Sequence, residues 1–333
     1  MSANVAGIDI GNGHLKMALY KKGEARLVSA RLPRNLVNDG VIIDHQAMSR
    51  FIKKVKQEHH INASACALVL PDSFSFFRHV SLPAMTEDQL ELNLPYEFRD
   101  YISGDAKSYF YDYAVKETIY NDAGVPEKIE LFAAAVPKST ISEYAGILRR
   151  AGLKLKVVLP REMAYVSLLK DYINRNPLCF NQEFCIINIG NLITCIDIYK
   201  GSTHVASKVL EFGCHDIDTA VAKVKNIDPF IANSYVQSNY EDVLSLPESM
   251  AVYNRISVEI MKVINFYNFS NPDSNLQDIY FCGSGAECSQ LTDTIDKQTD
   301  KKTYSIDTLA PPSVAGSDSL AACTLALAMA MGL

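Results

Sequence analysis

Gly7–Lys16 reads GIDIGNGHLK. Ala6, Ile8 and Ile10 make a short apolar run that suits a buried strand. Gly11 and Gly13 then let the chain turn sharply with no Cβ in the way. Backbone N–H groups at such a turn point outward and can cradle a phosphate. Asp9 stands just before the turn, on the strand face opposite Ile8 and Ile10, where a carboxylate can hold Mg²⁺ directly or through water. Lys16 stands where a cation meets phosphate oxygens. Alone, so short a glycine motif is more often a hairpin with a surface aspartate.

A second copy changes that weighting. Ile187–Lys200 reads INIGNLITCIDIYK. One constant shift carries Ile8, Ile10, Gly11, Asn12, Tyr20 and Lys21 onto Ile187, Ile189, Gly190, Asn191, Tyr199 and Lys200, and Asp9 onto Asn188. The chain therefore holds two strand–turn–strand hairpins of one design, each opening a half. Repetition on that scale indicates a duplicated domain and not a solenoid. Two such turns facing each other across a cleft would grip one polyphosphate from both sides.

Composition is that of a globular protein with a substantial core: 48% hydrophobic and 21% charged over 333 residues, a length that suggests about two domains. A net charge of −6, from 32 basic and 38 acidic residues, argues against nucleic acid or an anionic membrane surface as the main partner. None of the eight cysteines stands in C-x-x-C spacing, which reads as buried thiols in a reducing compartment. The N-terminal residues lead straight into a strand without a signal-peptide pattern. The Ala-rich run Leu320–Leu333 is too short to span a bilayer. The expectation is a soluble cytoplasmic protein with no nucleic-acid partner and no direct membrane insertion.

Between the hairpins the pattern changes. Phe74–Leu82, Tyr109–Thr118 and Lys128–Val136 alternate like strands. Thr86 with Gln89 makes a capping box, and Pro95 should kink or end that helix near its middle. Ser139 reads as the cap of a helix over 139–151, and Leu153–Leu159 as one more strand. This predicts a compact α+β module over 71–159, with the Tyr and Phe cluster from Phe98 to Tyr120 as packing. Farther on, Phe212–Gly213 precedes a helix, and Thr194 carries a hydroxyl that can bond a phosphate. The stretch 226–247 is poorly patterned, and Ile256–Phe269 is an amphipathic helix. DIYFCGSGA, 278–286, is a buried strand entering a glycine turn, with a helix over 287–297 after it. Ser317 or Asp318 should cap a final helix over 317–333.

Two phosphate hairpins, each opening a half, followed by a late strand–glycine turn–helix, resemble the layout of the actin-like ATPase superfamily. The inserted module is more specific. FRHVSLPAMTEDQLELNLPYEF and LFAAAVPKSTISEYAGILRRAGLKLKVV are similar to the extra subdomain of the PilM family of type IV pilus assembly proteins, relatives of FtsA. ISVEIMKVINFYNF with DIYFCGSGAECSQL is similar to the same family. The resemblance implies an α/β fold of actin-like duplicated (RNase H-like) domains flanking a nucleotide cleft, with an inserted α+β subdomain. Residues 1–70 plus 160–180 would form the first actin-like domain, 71–159 the partner-docking insert and 181–333 the second domain. It implies ATP with Mg²⁺ in the cleft. Asp9 would match the magnesium-side acid; Gly11, Asn12, Gly13 and Lys16 the first phosphate loop; Gly190, Asn191 and Thr194 the second. Gly213, Gly283, Gly285 and Ala286 would lie near nucleoside and phosphate.

It further implies a cytoplasmic scaffold recruited to the inner face of the membrane. Its partner would be the cytoplasmic N-terminal peptide of a PilN-like inner-membrane protein, with pilus motor ATPases as further partners. The sequence departs from the pattern at Asn188, where an aspartate is usual, and at Asn233 and Gln237, where Glu and Lys often flank the ribose. Cys282 stands for a glycine. Glu162 falls near the position of a water-orienting acid, although a surface Glu at a helix start explains it as well. At most a weak ATPase is implied. The alternatives are a filament-forming relative of FtsA or MreB, and a small-molecule kinase of the same fold.

Overall fold

The structure is a computed structural model that describes residues 4–38, 40–317 and 319–332. The first hairpin forms from β1 (Val5–Ile10) and β2 (His14–Lys21), with Asp9 opposite Lys16 and Ile10 opposite Leu15. β3 (Glu24–Arg31) adds antiparallel to β2. A two-residue ribbon, β4 (Val37–Asn38) with β5 (Val41–Ile42), leads to α1 (His45–Glu58), whose first N–H groups are capped by Asp44. β6 (Ala65–Val69), apolar throughout and buried throughout, runs parallel to β1.

The intervening module consists of β7 (Phe76–Pro83), α2 (Glu87–Glu97), β8 (Tyr109–Tyr120) and β9 (Pro126–Pro137). Its sheet has the order β7-β9-β8, which leaves one long edge of β8 unpaired among the described residues. Leu90, Leu94 and Phe98 from α2 and its end fill its core against Leu131 and Ala133. α3 (Lys138–Arg150) and β10 (Lys154–Leu159) follow. They do not belong to that sheet. β10 pairs parallel with β6, and Tyr144, Ile147 and Leu148 of α3 join the core under α1. The predicted insert over 71–159 is therefore too long: its last strand completes the first half's sheet and its last helix joins that half's core.

α4 (Arg161–Arg175) leads to β11 (Glu183–Ile189), β12 (Thr194–Lys200) and β13 (Thr203–Leu210). Next come α5 (Cys214–Lys225), α6 (Pro229–Ser238), α7 (Pro247–Ser270), β14 (Asp278–Cys282), α8 (Ser289–Gln298), β15 (Lys302–Ser305) and α9 (Leu320–Met331). The duplication is visible in the sheets. β10-β6-β1-β2-β3 and β15-β14-β11-β12-β13 have the same order. In both, the first three strands are parallel and the next two antiparallel. Asn188 pairs with Cys195 as Asp9 pairs with Lys16. α4 and α9 lie between the halves, sharing one core with Ala67 and Val69 of the first sheet and Phe184, Ile186 and Tyr280 of the second. That explains the apolar run at 320–331: α9 is a central helix.

Several local expectations need correction. α3 starts at Lys138 with Pro137 before it and no side-chain cap, so Ser139 is not the cap. Pro95 lies inside α2, in its last turn and not near its middle, and the helix ends two residues later at Glu97, as the lost i−4 hydrogen bond of a proline favours. The unpatterned stretch 226–247 holds α6, started by Asp228 and a proline at its first position. α7 begins well before Ile256. A 3₁₀ turn over Ser284–Glu287 precedes α8, which starts at Ser289. α9 begins at Leu320 after Ser319; Ser317 instead donates to the Val314 carbonyl, and Asp318 and Leu333 lie outside the described residues. The aromatic cluster divides: Phe98 and Tyr109 are buried, while Tyr101, Phe110 and Tyr120 are exposed.

Candidate functional site

The two hairpin turns face one another across a cavity of about 680 Å³. Asp9, Gly11, Asn12, Gly13 and Lys16 line it from one side, and Gly190 and Asn191 from the other. The turns approach closely: a Cβ on Gly13 would stand 3.5 Å from the Asn191 side chain. Asn12 Oδ1 accepts from the Gly40 N–H at 2.7 Å, tying the first turn to the ribbon above it. The Gly11 N–H closes on the His14 carbonyl and the Gly190 N–H on the Ile193 carbonyl, so these two donors are spent inside their own hairpins.

Other expected site residues are held by the fold itself. Thr194 is fully buried and donates to the Phe212 carbonyl at 2.9 Å. Gly213 sits where a Cβ would meet the Gly190 and Asn191 carbonyls at 2.5 and 2.6 Å. That approach lets Cys214 and His215, the first N–H groups of α5, donate to those same carbonyls. Gly213, Gly283, Gly285 and Ala286 are absent from the cavity wall, although Ser284 reaches it. Asn233 donates to Asp218 at 3.0 Å, and Gln237 is exposed.

Two ionic groups shape the cavity. Lys16 Nζ lies 2.9 Å from Asp9 Oδ2, both side chains being 15% exposed. Burial works to lower the proton affinity of Lys16, but Asp9 outweighs it and holds the ammonium above its usual range. His14 beside it is pushed down to about 4, by burial first and then by Lys16 and Arg31, and so stays neutral at pH 7. On the second strand Asn188 donates to the Tyr165 hydroxyl at 3.0 Å, which in turn lies 3.3 Å from Cys282 Sγ.

Deeper in the wall stands an arrangement that the sequence analysis did not single out. Arg161, at the start of α4 and 3% exposed, donates to Asp72 at 3.0 Å, to Glu162 at 3.1 Å and to the fully buried Asp197. Burial raises the pKa of Glu162, and it pushes Asp197 up to about 7 against the pull of Arg161. His204 Nε2 lies 3.8 Å from Asp197 Oδ1, and both atoms are buried without a hydrogen-bond partner among the described residues. Burial, His79 and Arg161 push His204 down to about 3, so it is neutral. Its other nitrogen meets His79 Nε2 of β7 at 3.2 Å. One buried network thus ties the module (His79), its root (Asp72), the first half (Arg161) and the second half (Asp197, His204). Glu162 is buried, not a surface residue. It does not line the cavity, and its carboxylate is engaged by Arg161.

The halves are also clasped by residues outside the cavity's lining. Arg31 and Arg34, from the end of β3 and just beyond it, reach α6. Arg31 stacks over Phe230 at 4.1 Å and donates to the Phe230 carbonyl and Ser234, and Arg34 pairs with Asp228 at 2.8 Å.

A second, apolar groove of about 270 Å³ runs beside the unpaired edge of β8. Phe77, Phe110, Tyr113, Ala114 and Phe132 form its module side, and Val158, Pro160 and Met163 its other side. Leu70 lines both this groove and the hairpin cavity. The first turn of α4 is likewise shared, with Arg161 turned to the cavity and Pro160 and Met163 to the groove.

The family described as type IV pilus assembly protein PilM matches residues 7–333. The chain belongs to the PilM family. A solved PilM–PilN type IV pilus biogenesis complex is similar over 100% of this chain and 99% of that one, at 20% identity and a TM-score of 0.81. The ethanolamine utilization protein EutJ from Carboxydothermus hydrogenoformans is similar over 99% and 90% of the two chains, at 13% identity and a TM-score of 0.59. MreB5 of Spiroplasma citri, solved bound to ADP, is similar over 98% and 95%, at 12% identity and a TM-score of 0.51. The fold is therefore actin-like, as the paired sheets indicate. No helix among the described residues is long and apolar enough to cross a membrane.

Proposed function

We propose that this PilM-family chain is a nucleotide-binding scaffold of type IV pilus assembly. ATP lies between the two hairpins, and the N-terminal peptide of a PilN-like inner-membrane protein lies in the groove beside β8, recruiting the chain to the inner face of the cytoplasmic membrane. The observation that carries the docking half is the groove itself. An unpaired strand edge borders a trough of apolar side chains, which is what an extended peptide needs: main-chain hydrogen bonds along the edge and pockets for alternate side chains. The PilM–PilN complex, whose fold matches end to end, supports the partner class.

A fluorescence titration with the cytoplasmic tail of the PilN-like protein from the same genome tests this. Ala114, exposed on β8 and lining the groove, is the position to fill. Ala114→Arg should weaken tail binding by about 30-fold or more, roughly 2 kcal/mol, without disturbing the core. Tail binding unchanged by that substitution would move the docking site elsewhere. Deleting 71–159 is a poorer test, because it removes β10 from the first sheet.

The cleft half rests on the paired glycine turns, on Lys16 beside the first of them and on the cavity's size. Phosphates would meet Lys16 and the turn backbones. The donor set does not match a magnesium seat built on carboxylates: Asp9 is already paired with Lys16, and Asn188 brings no charge. Hydrolysis is proposed to be slow. Glu162 is held by Arg161 and does not line the cavity, and of the acids in the described wall Asp72 is also held by Arg161, which leaves Asp9 and Glu211 outside that network. A phosphate-release assay should give turnover well below about one per second, the lower range for dedicated phosphoryl-transfer enzymes. Faster turnover would require Asp9 or Glu211, the acids of the described wall outside the Arg161 network, to serve as general base.

A further inference from the structure

Asp9 and Asn188 are equivalent positions of the duplicated hairpins, and they face the same cavity. A divalent cation flanked by two acids would find one there. That one is engaged: Lys16 Nζ is 2.9 Å from Asp9 Oδ2 in a pair that is largely removed from water. A Mg²⁺ ion accepted by Asp9 would leave the Lys16 ammonium buried beside a second cation, with Coulomb repulsion weakly screened. Asn188 cannot compensate, because its amide donates to Tyr165. Among the described residues no group of three or more His, Cys, Asp or Glu could hold a metal ion.

Lys16 is placed to do the cation's work. Its ammonium lies against the first turn, such that a Cβ on Gly11 would stand 3.1 Å from Nζ. An ammonium has three donors, and Asp9 takes one. Arg161, the other cation of the described wall that is charged at pH 7, is already bound to three carboxylates. His14 is neutral there.

We infer that Lys16 replaces the divalent cation, so that the cleft takes a nucleoside di- or triphosphate without metal. The inference rests on the nucleotide reading above and specifies how that site meets phosphate. Charge-assisted hydrogen bonds from one ammonium to phosphate oxygens are strong enough to carry such binding.

The test is calorimetric titration of ATP and ADP into the full chain, in EDTA and in excess magnesium chloride. The expected Kd in EDTA is within about threefold of that in magnesium. Lys16→Gln should weaken binding in EDTA by about tenfold or more, the worth of a charged hydrogen bond. Asp9→Asn separates the two readings: it removes a carboxylate that repels phosphate while its amide oxygen can still accept from Lys16, so binding in EDTA should be retained or tighten, whereas loss of a metal ligand would weaken binding in magnesium. Asp9→Asn is read even if Lys16→Gln fails to fold. Binding seen only with magnesium and lost in Asp9→Asn would overturn the inference and leave the nucleotide site standing. No binding of either nucleotide in either buffer would overturn both.

Discussion

Arg161→Gln is expected to destabilise the protein by about 3–5 kcal/mol, the usual cost of leaving buried charges without their partner. Asp72, Glu162 and the fully buried Asp197 all depend on that guanidinium, and glutamine keeps hydrogen bonding but supplies no charge. The loss should depend on pH. Asp197 and Glu162 hold protons more tightly in the folded chain than in the unfolded one. An acid with a raised folded pKa stabilises below its unfolded value, about 4, and loses that contribution as pH rises through the folded one, here about 7. The cluster should therefore favour the mildly acidic side in the wild type. Without Arg161 the decline toward alkaline pH should steepen. Urea midpoints at about pH 5 and about pH 8 measure both slopes. A variant with no steeper decline would show that Arg161 is not what keeps these carboxylates buried.

Gly7→Ala should cost about 3 kcal/mol, the upper end for overpacking, because the obstacle is backbone. A Cβ on Gly7 would lie 1.8 Å from the Ala326 carbonyl oxygen and 2.9 Å from the Ala330 nitrogen. α9 would have to lift from β1, and α9 holds the two halves together. Gly146→Ala is the control: it lies within α3, and the nearest atom to its Cβ would be the tip of Arg150 at 3.7 Å. That change should be neutral or stabilising by up to about 1 kcal/mol. Equal thermal shifts for the two variants would show that β1 and α9 tolerate separation.

What the sequence made legible follows from local rules. The hairpins were readable because a strand, an Ile-Gly-Asn turn and a second strand recur at a constant shift, and the duplicated sheet order follows from that repetition. The Thr86–Gln89 capping box was readable because both hydrogen bonds lie within four residues, and both form. The end of the insert was not. Leu153–Leu159 reads as a strand in either sheet, and only its pairing with β6 assigns it. Arg161 was missed for a related reason. A single arginine after a proline looks like an ordinary helix start, and its three acids come from residues 72, 162 and 197, which the fold alone assembles. One cue was available: Asp197 is the lone charge in TCIDIY, and a charge inside a buried strand requires a partner.

The shared wall of cavity and groove has a consequence for how occupancy is controlled. Leu70 and the first turn of α4 face both spaces, so a ligand that shifts that wall in filling one changes the free energy of filling the other. Such coupling is reciprocal: a factor gained by the peptide from the cleft's ligand is gained by that ligand from the peptide. A tail tethered in a membrane is present at high effective concentration wherever the chain can reach it. The density of anchored tails would then set how full the cleft is at a fixed ligand supply, and cleft occupancy would report the local abundance of the membrane partner.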